Sequence, residues 1–274
     1  MSALFGLASA ASWGAGDFCG GLASKRSGIY QVVIGSQLVG IVILAALALL
    51  IGESIPPVTN LIGCGLAGIL GVIGLLALYK ALATGRMGIA APISGVLSAA
   101  VPVLAGVYLE GLPNRFQLLG FGVALLAVWL ISRSESAPIQ IRDLGLPLIA
   151  GLSFGMFIVL INRANAGAVF WPLVAARAAS LTVLIVFASF TRQTWIPDQT
   201  NLPLISFSGI LDAGGNAFLV LAANTGRLDV AAVLSSLYPA STVLLALLIL
   251  KERLSRWQSL GVLAALIAIV LITL

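Results

Sequence analysis

TGRMGIAAPISGVLSAAVPVLAGVYLEGLPNRFQLLG, residues 84–120, returns later in the chain as TGRLDVAAVLSSLYPASTVLLALLILKERLSRWQSLG, residues 225–261. The register is constant (225 − 84 = 141), with Thr-Gly-Arg, Ala-Ala, Ser, Arg, Gln, Leu and Gly recurring at one offset. Carried backwards, the same offset places Leu7 on Leu148, Ser12-Trp13-Gly14 on Ser153-Phe154-Gly155, and Gly68-Ile69-Leu70 on Gly209-Ile210-Leu211. The repeat therefore covers the whole chain as two versions of one unit, residues 1–133 and 144–274, joined by a linker at 134–143. The period is too long for a solenoid.

Each unit is built of apolar runs. The chain is 60% hydrophobic and 8% charged, with a mean hydropathy of +1.14, a composition that an aqueous surface does not tolerate. Apolar runs of about 20 residues, the length that crosses a hydrocarbon core as a helix, fall at approximately 3–22, 29–51, 61–83, 88–109, 115–132, 144–162, 169–190, 202–224, 229–249 and 256–274. The reading is an all-α membrane protein of ten transmembrane helices. Five spans per half is an odd number, so the second half enters the membrane inverted relative to the first. Two inverted halves around a central cavity is an arrangement typical of secondary transporters.

The first run begins at Ala3 without a basic segment before it, and it reads as a first span rather than a cleaved signal. Lys25, Arg26, Arg86, Arg133, Arg142, Arg192, Lys251, Arg253 and Arg256 lie in odd-numbered connections, against Arg115, Arg163 and Arg227 in even ones. That bias places the odd connections in the cytoplasm and both termini outside, across a plasma (inner) membrane. The net charge of +5 is a topology signal, since no soluble basic surface with stacking aromatics accompanies it to bind nucleic acid. Cys19 and Cys64 sit in apolar runs as packing residues, and the chain has no histidine. No metal and no cofactor is expected.

Ionisable residues inside a span are costly and need a reason. Four qualify: Asp17, Lys80, Arg177 and Asp212. Across the repeat Asp17 stands opposite Ile158, Asp212 opposite Gly71, Asn216 opposite Leu75 and Arg177 opposite Ser36, so the shared scaffold does not explain them. Asp17 follows Trp13 by one helical turn, and Asn216 follows Asp212 in the same way. A carboxylate beside an aromatic wall suits a zwitterion or a cation. Trp13, Phe154, Tyr79 and Tyr238 are candidate cavity aromatics, Trp13 and Phe154 being equivalent in the two halves. Asp17, Asp212 and Asn216 complete the candidate substrate-binding set, with Lys80 or Arg177 holding a gate or a substrate carboxylate. Alternatively, Asp212 with Arg177 and Asp17 with Lys80 are ion pairs that keep the bundle in register. Pro92, Pro102 and Pro239 interrupt spans four and nine and are candidate hinges. Gly14-Ala15-Gly16-Asp17 and Leu211-Asp212 also resemble the aspartate dyad of GxGD-type intramembrane proteases, but in reversed order and without the tyrosine or the Pro-Ala-Leu of that family.

The opening stretch, with Ala90-Ala91-Pro92, Leu250-Lys251-Glu252-Arg253-Leu254 and Trp257-Gln258-Ser259-Leu260-Gly261, resembles the EamA domain of the drug/metabolite transporter superfamily. Ser12-Trp13-Gly14 and Tyr79-Lys80-Ala81-Leu82 share the resemblance, which spans the chain as two tandem units. It implies ten spans in a five-plus-five arrangement and export of metabolites. Within that superfamily the chain is similar to YddG-type exporters of amino acids, Trp13 and Phe154 matching the positions of their cavity tryptophans. The aromatics that those exporters carry before the proline of span four are replaced here by Ser98, Ala99, Ala100 and Val101, which points to a broader or smaller substrate range. The expected partners are a small-molecule substrate, amino acids above all, and the lipid bilayer; a monomer suffices and a dimer is compatible. A multidrug or nucleotide-sugar carrier is the neighbouring alternative, and a structural or sensory membrane protein needs no polar cavity.

Overall fold

The computed structural model describes residues 1–83, 87–131, 144–196, 199–249 and 255–274, and among them the regular structure is helical, without strands. The helices are α1 (Ser2–Ser24), α2 (Ile29–Ile51), α3 (Val58–Ala83), α4 (Met87–Glu110), α5 (Arg115–Ile131), α6 (Gly145–Ala164), α7 (Phe170–Phe190), α8 (Leu202–Asn224), α9 (Leu228–Ser235), α10 (Tyr238–Ile249) and α11 (Arg256–Thr273). A 3-10 turn at Gln199–Asn201 leads into α8.

Six helical stretches are long and apolar enough to cross a bilayer: Ile29–Ile51, Val58–Leu78, Gly145–Ala164, Phe170–Phe190, Gln199–Asn224 and Arg256–Thr273. Ser94–Glu110 and Arg115–Ile131 are apolar but shorter. Glycines, serines and Asp17 dilute the hydropathy of α1, and the ninth apolar run is split into α9 and α10. Large apolar side chains cover the outside, among them Leu50, Phe190 and Leu248, as a lipid-facing surface requires.

The split in the ninth run has a local cause. Pro239, the second residue of α10, has no N–H to offer the preceding turn, and its ring crowds the carbonyl four residues back. The chain responds by tightening: Leu237 N–H donates to Leu234 O and Ala240 N–H to Leu237 O, both across three residues, while Ser236 Oγ donates to Val233 O at 2.7 Å. Span four behaves otherwise. The α4 helix continues through both Pro92 and Pro102, correcting the expectation that they interrupt it, and Pro102 is buried. A missing hydrogen bond is tolerated where neighbouring helices hold the backbone, as α6 and α9 do here.

Packing follows the repeat. The α1 helix lies along α8 and α3 lies along α6; α4 packs on α6 and α9–α10 on α1; α2 packs on α8 and α7 on α3; α5 pairs with α11 and α2 with α7. The sequence offset exchanges each of these pairs with another or maps it onto itself. Glycines set the closeness: a Cβ at Gly68 would strike the Ala176 carbonyl, and one at its counterpart Gly209 would strike the carbonyl of Ser36. The strongest contacts thus run between the halves, and the two halves are interlocked. Buried Phe121, Val128 and Ile131 of α5 with Ala265, Ala268 and Ile272 of α11 form one apolar core; the helices around them leave a cavity at the centre.

Candidate functional site

The cavity holds about 840 Å3 of atom-free space, its open mouth included, and is reached by side chains of α1, α2, α3, α4, α6, α7, α8 and α10. Two kinds of wall meet there. On α1, α2, α7 and α8 stand Asp17, Gln37, Arg177, Ser180, Asp212 and Asn216; on α3 and α6 stand Val72, Leu75, Leu78, Phe154, Phe157 and Ile158. The repeat makes this contrast visible residue by residue. Where one half presents Asp17, Asp212 and Asn216, the other presents Ile158, Gly71 and Leu75.

The polar wall is organised around Arg177, whose side chain is 6% exposed. Its Nη2 donates to Asp212 Oδ2 at 2.5 Å and its Nη1 to Gln37 Oε1 at 2.8 Å. Ser180 Oγ donates to Arg177 O at 3.0 Å and also reaches Gln37 Oε1, at 3.4 Å. The guanidinium lies against Gly40 of α2, where a Cβ would come within 2.7 Å of its Cζ. Asn216 Nδ2 donates to Asp212 O at 2.7 Å, bonding back to the preceding turn, and Asp212 keeps 33% of its side chain exposed. A charge as buried as Arg177 survives only with partners, and two helices supply them.

Asp17 is different. It lines the cavity, is half-buried, and has no hydrogen-bond partner or ion pair among the described residues. The expected pair with Lys80 is not formed: Lys80 lies in the last turn of α3, exposed and outside the cavity lining. Of the two ion pairs weighed from the sequence, only Arg177–Asp212 is present.

Aromatic side chains are seated in matched glycine notches. Trp13 lies over Gly215, where a Cβ would stand 2.8 Å from its Nε1, and Phe154 lies over the equivalent Gly74, at 2.8 Å from Cδ1. Trp13 meets Tyr238 edge to face, the ring centroids 6.4 Å apart and the planes at 88°. The Tyr79 and Pro92 side chains lie outside the described residues. Gln37, Ser180 and Phe157 also line the cavity and escaped the sequence reading, and Ser98, read there as standing where related exporters carry aromatics, lines it too. The repeat holds the signal for three of them: Gln37 stands opposite Ala178, Ser180 opposite Val39 and Phe157 opposite Gly16, asymmetries of the kind that singled out Asp17.

A second charged cluster ties α4 to α9. Arg227 Nη2 donates to Asp229 Oδ2 at 2.7 Å and to Gly111 O at 2.7 Å, and Glu110 accepts from Leu228 N–H at 3.2 Å. The Asp229 side chain is fully buried, and its hydrogen bond holds the Arg227 guanidinium above its usual range. Separately, Glu53 caps the start of α7, its carboxylate accepting from Val169, Phe170 and Trp171 N–H at 2.7–2.9 Å while Trp171 Nε1 donates to Glu53 O at 2.9 Å.

Helices with a lipid-facing exterior, interlocked in repeat-related pairs around a cavity with one polar and one apolar wall, define a multi-pass membrane protein built to hold a small molecule. The EamA-like transporter family model matches residues 1–133 and again 144–274, and the chain belongs to that family, within the drug/metabolite transporter superfamily. No curated protein matches the chain. Among the solved structures that do is one described only as "Crystal structure of protein": 15% identical, covering 99% of this chain and 96% of its own, with a TM-score of 0.82. At that identity the likeness is one of fold alone.

Proposed function

We propose that this protein is a secondary exporter of small amphipathic metabolites that carry an ammonium group, amino acids and their derivatives, and that it works by alternating access between two inverted five-span halves. The observation that carries this reading is the cavity between the helices, in which acidic and amide side chains of α1 and α8 stand with the aromatic and aliphatic side chains of α3 and α6. Such a site orients a molecule with one charged and one apolar end. Trp13, Phe154 and Tyr238, with Tyr79 as a further candidate, contact the apolar end; Asp17 attracts the ammonium group, Asn216 orients it, and Arg177 with Asp212 keeps the polar wall in shape. The exchange of packing partners under the sequence offset supports ten spans in an inverted repeat, in which rocking of one half against the other opens the cavity to alternate sides. The arginine and lysine bias supports odd connections in the cytoplasm of an inner membrane, and Pro239 at the α9–α10 break is a ready hinge.

Counterflow of a labelled amino-acid panel into proteoliposomes preloaded with unlabelled compound tests the reading, with Trp13→Ala alongside. Exchange by the wild type that fails in the folded variant supports a carrier with its site between the halves. Exchange only of drugs or nucleotide sugars replaces the substrate class, and no exchange at all removes the carrier reading.

One observation favours a second reading. Asp17 and Asp212 face the same cavity, as the two carboxylates of an intramembrane aspartyl protease do. The ion pair with Arg177 weighs against it, because a proteolytic dyad shares a proton between its carboxylates and Asp212 is already committed to a guanidinium. Cleavage of a transmembrane peptide that is lost in both Asp17→Asn and Asp212→Asn would establish the protease.

A further inference from the structure

We propose that the cavity selects monocations: its preferred substrates carry an ammonium group on an apolar body and no free carboxylate, as in amines and the amides or esters of amino acids. This narrows the substrate class of the site above and rests on the carrier reading. Three lining groups among the described residues are ionisable, Asp17, Asp212 and Arg177. Arg177 neutralises Asp212, so one carboxylate is left over.

Arg177 is the only cation among the described lining residues, and its guanidinium is already paired within the protein. It is almost wholly buried, one Nη is engaged by Asp212 and the other by Gln37, and Gly40 covers its face. A substrate carboxylate at Arg177 competes with Asp212 for the same guanidinium, and displacing Asp212 would leave a carboxylate unpaired beside Asp17. Lys80 stands outside the cavity and offers no substitute.

Asp17 is the complementary case, a carboxylate that faces the cavity without a partner, one turn from Trp13 and its edge-to-face contact with Tyr238. An ammonium group at Asp17 gains the carboxylate and shares the cavity with the Trp13 and Tyr238 rings, and both favour a cation. The carboxylate of a free amino acid would be only two bonds away from that ammonium, held within the same acidic wall. The opposite wall, Phe154, Phe157, Ile158 and Leu75, cannot solvate it. Replacing that carboxylate by an amide or by hydrogen removes the repulsion and leaves every favourable contact in place. Asp17 is therefore the specificity-determining residue, and Arg177 positions the wall.

The test measures equilibrium binding to the purified full-length chain of two matched series, phenylalanine with phenylalaninamide and phenethylamine, and leucine with leucinamide and isoamylamine. Counterflow of the same compounds runs in parallel. The expected result is binding of amide and amine at least about tenfold tighter than the free amino acid in one series or both, the scale of one like-charge contact at a few ångströms in a partly screened site. In Asp17→Asn, checked for folding by gel filtration, that preference collapses. Equal or weaker binding of the amide and amine overturns the proposal, and if the amino acid then exchanges in counterflow the carrier reading stands without it. No binding and no exchange by any compound overturns both. Should the Asp17 variant fail to fold, the two ligand series on the wild type still decide.

Discussion

Gly40 and Arg177 show how one missing side chain creates a site. Only a residue without a Cβ leaves room for the guanidinium to lie flat on α2, so Gly40→Ala forces Arg177 away from Gln37 and is expected to destabilise the protein by about 1–3 kcal/mol as an overpacking change. Gly122→Ala is the control: nothing lies within 4 Å of the added carbon, and the substitution is expected to stabilise α5 by about 0.5–1 kcal/mol. Thermal unfolding in detergent should move the two variants in opposite directions; a shift of the same sign would disprove the crowding argument. Asp212→Asn leaves a buried guanidinium without its counter-charge. A fully buried pair broken this way costs about 3–5 kcal/mol, and with a third of Asp212 exposed the expected cost is lower, about 2–3 kcal/mol. Restored stability in Arg177→Met/Asp212→Leu would confirm that the loss comes from the stranded charge.

Among the helices, the repeat-related seams are not equal. The α1–α8 seam carries hydrogen bonds from Ser9 Oγ to Gly215 O at 2.8 Å and from Ser208 Oγ to Gly16 O at 3.0 Å, whereas the α3–α6 seam has Ala150 and Ala67 at the corresponding positions. Removing both hydroxyls, Ser9→Ala with Ser208→Ala, should cost about 0.6 kcal/mol per bond, read as a lowered unfolding midpoint with the helix content unchanged. A null effect would mean that small-residue packing alone holds α1 on α8. The α7 helix depends on a different device. Glu53→Ala removes the carboxylate that satisfies its first N–H groups and should cost about 1–2 kcal/mol, with Glu53→Gln recovering part of it. Equal stability of the two variants and the wild type in denaturant titration would show that water or lipid headgroups satisfy those donors instead.

At the scale of the molecule, interlocking matters more than the boundary between repeats. Since α1 packs chiefly against α8 and α6 against α3, each half leaves its main helix partners in the other, and residues 1–133 or 144–274 expressed alone should give no monodisperse monomer. Co-expressed, the two pieces should assemble and co-purify. A stable, helical monomer from either half would contradict the packing described here.

The repeat, the membrane-spanning character and the intramembrane charges were legible in the residues because each is a local property: an apolar run, a recurrent spacing, a carboxylate where lipid should be. Asymmetry between the halves also pointed to Asp17, Arg177, Asp212 and Asn216, which the fold brings to one cavity. The partners were not legible. That Arg177 takes Asp212 and Gln37, while Asp17 is left alone and Lys80 turns outward, depends on how α2, α7 and α8 rotate against one another, and that rotation is set by where glycines such as Gly40, Gly68 and Gly209 let backbones touch. Nor could periodicity tell that α4 continues through Pro102 while the chain breaks before Pro239, because a proline states only that one hydrogen bond is lost. Whether the helix bends is decided by the neighbours that hold it, and those are chosen by tertiary packing.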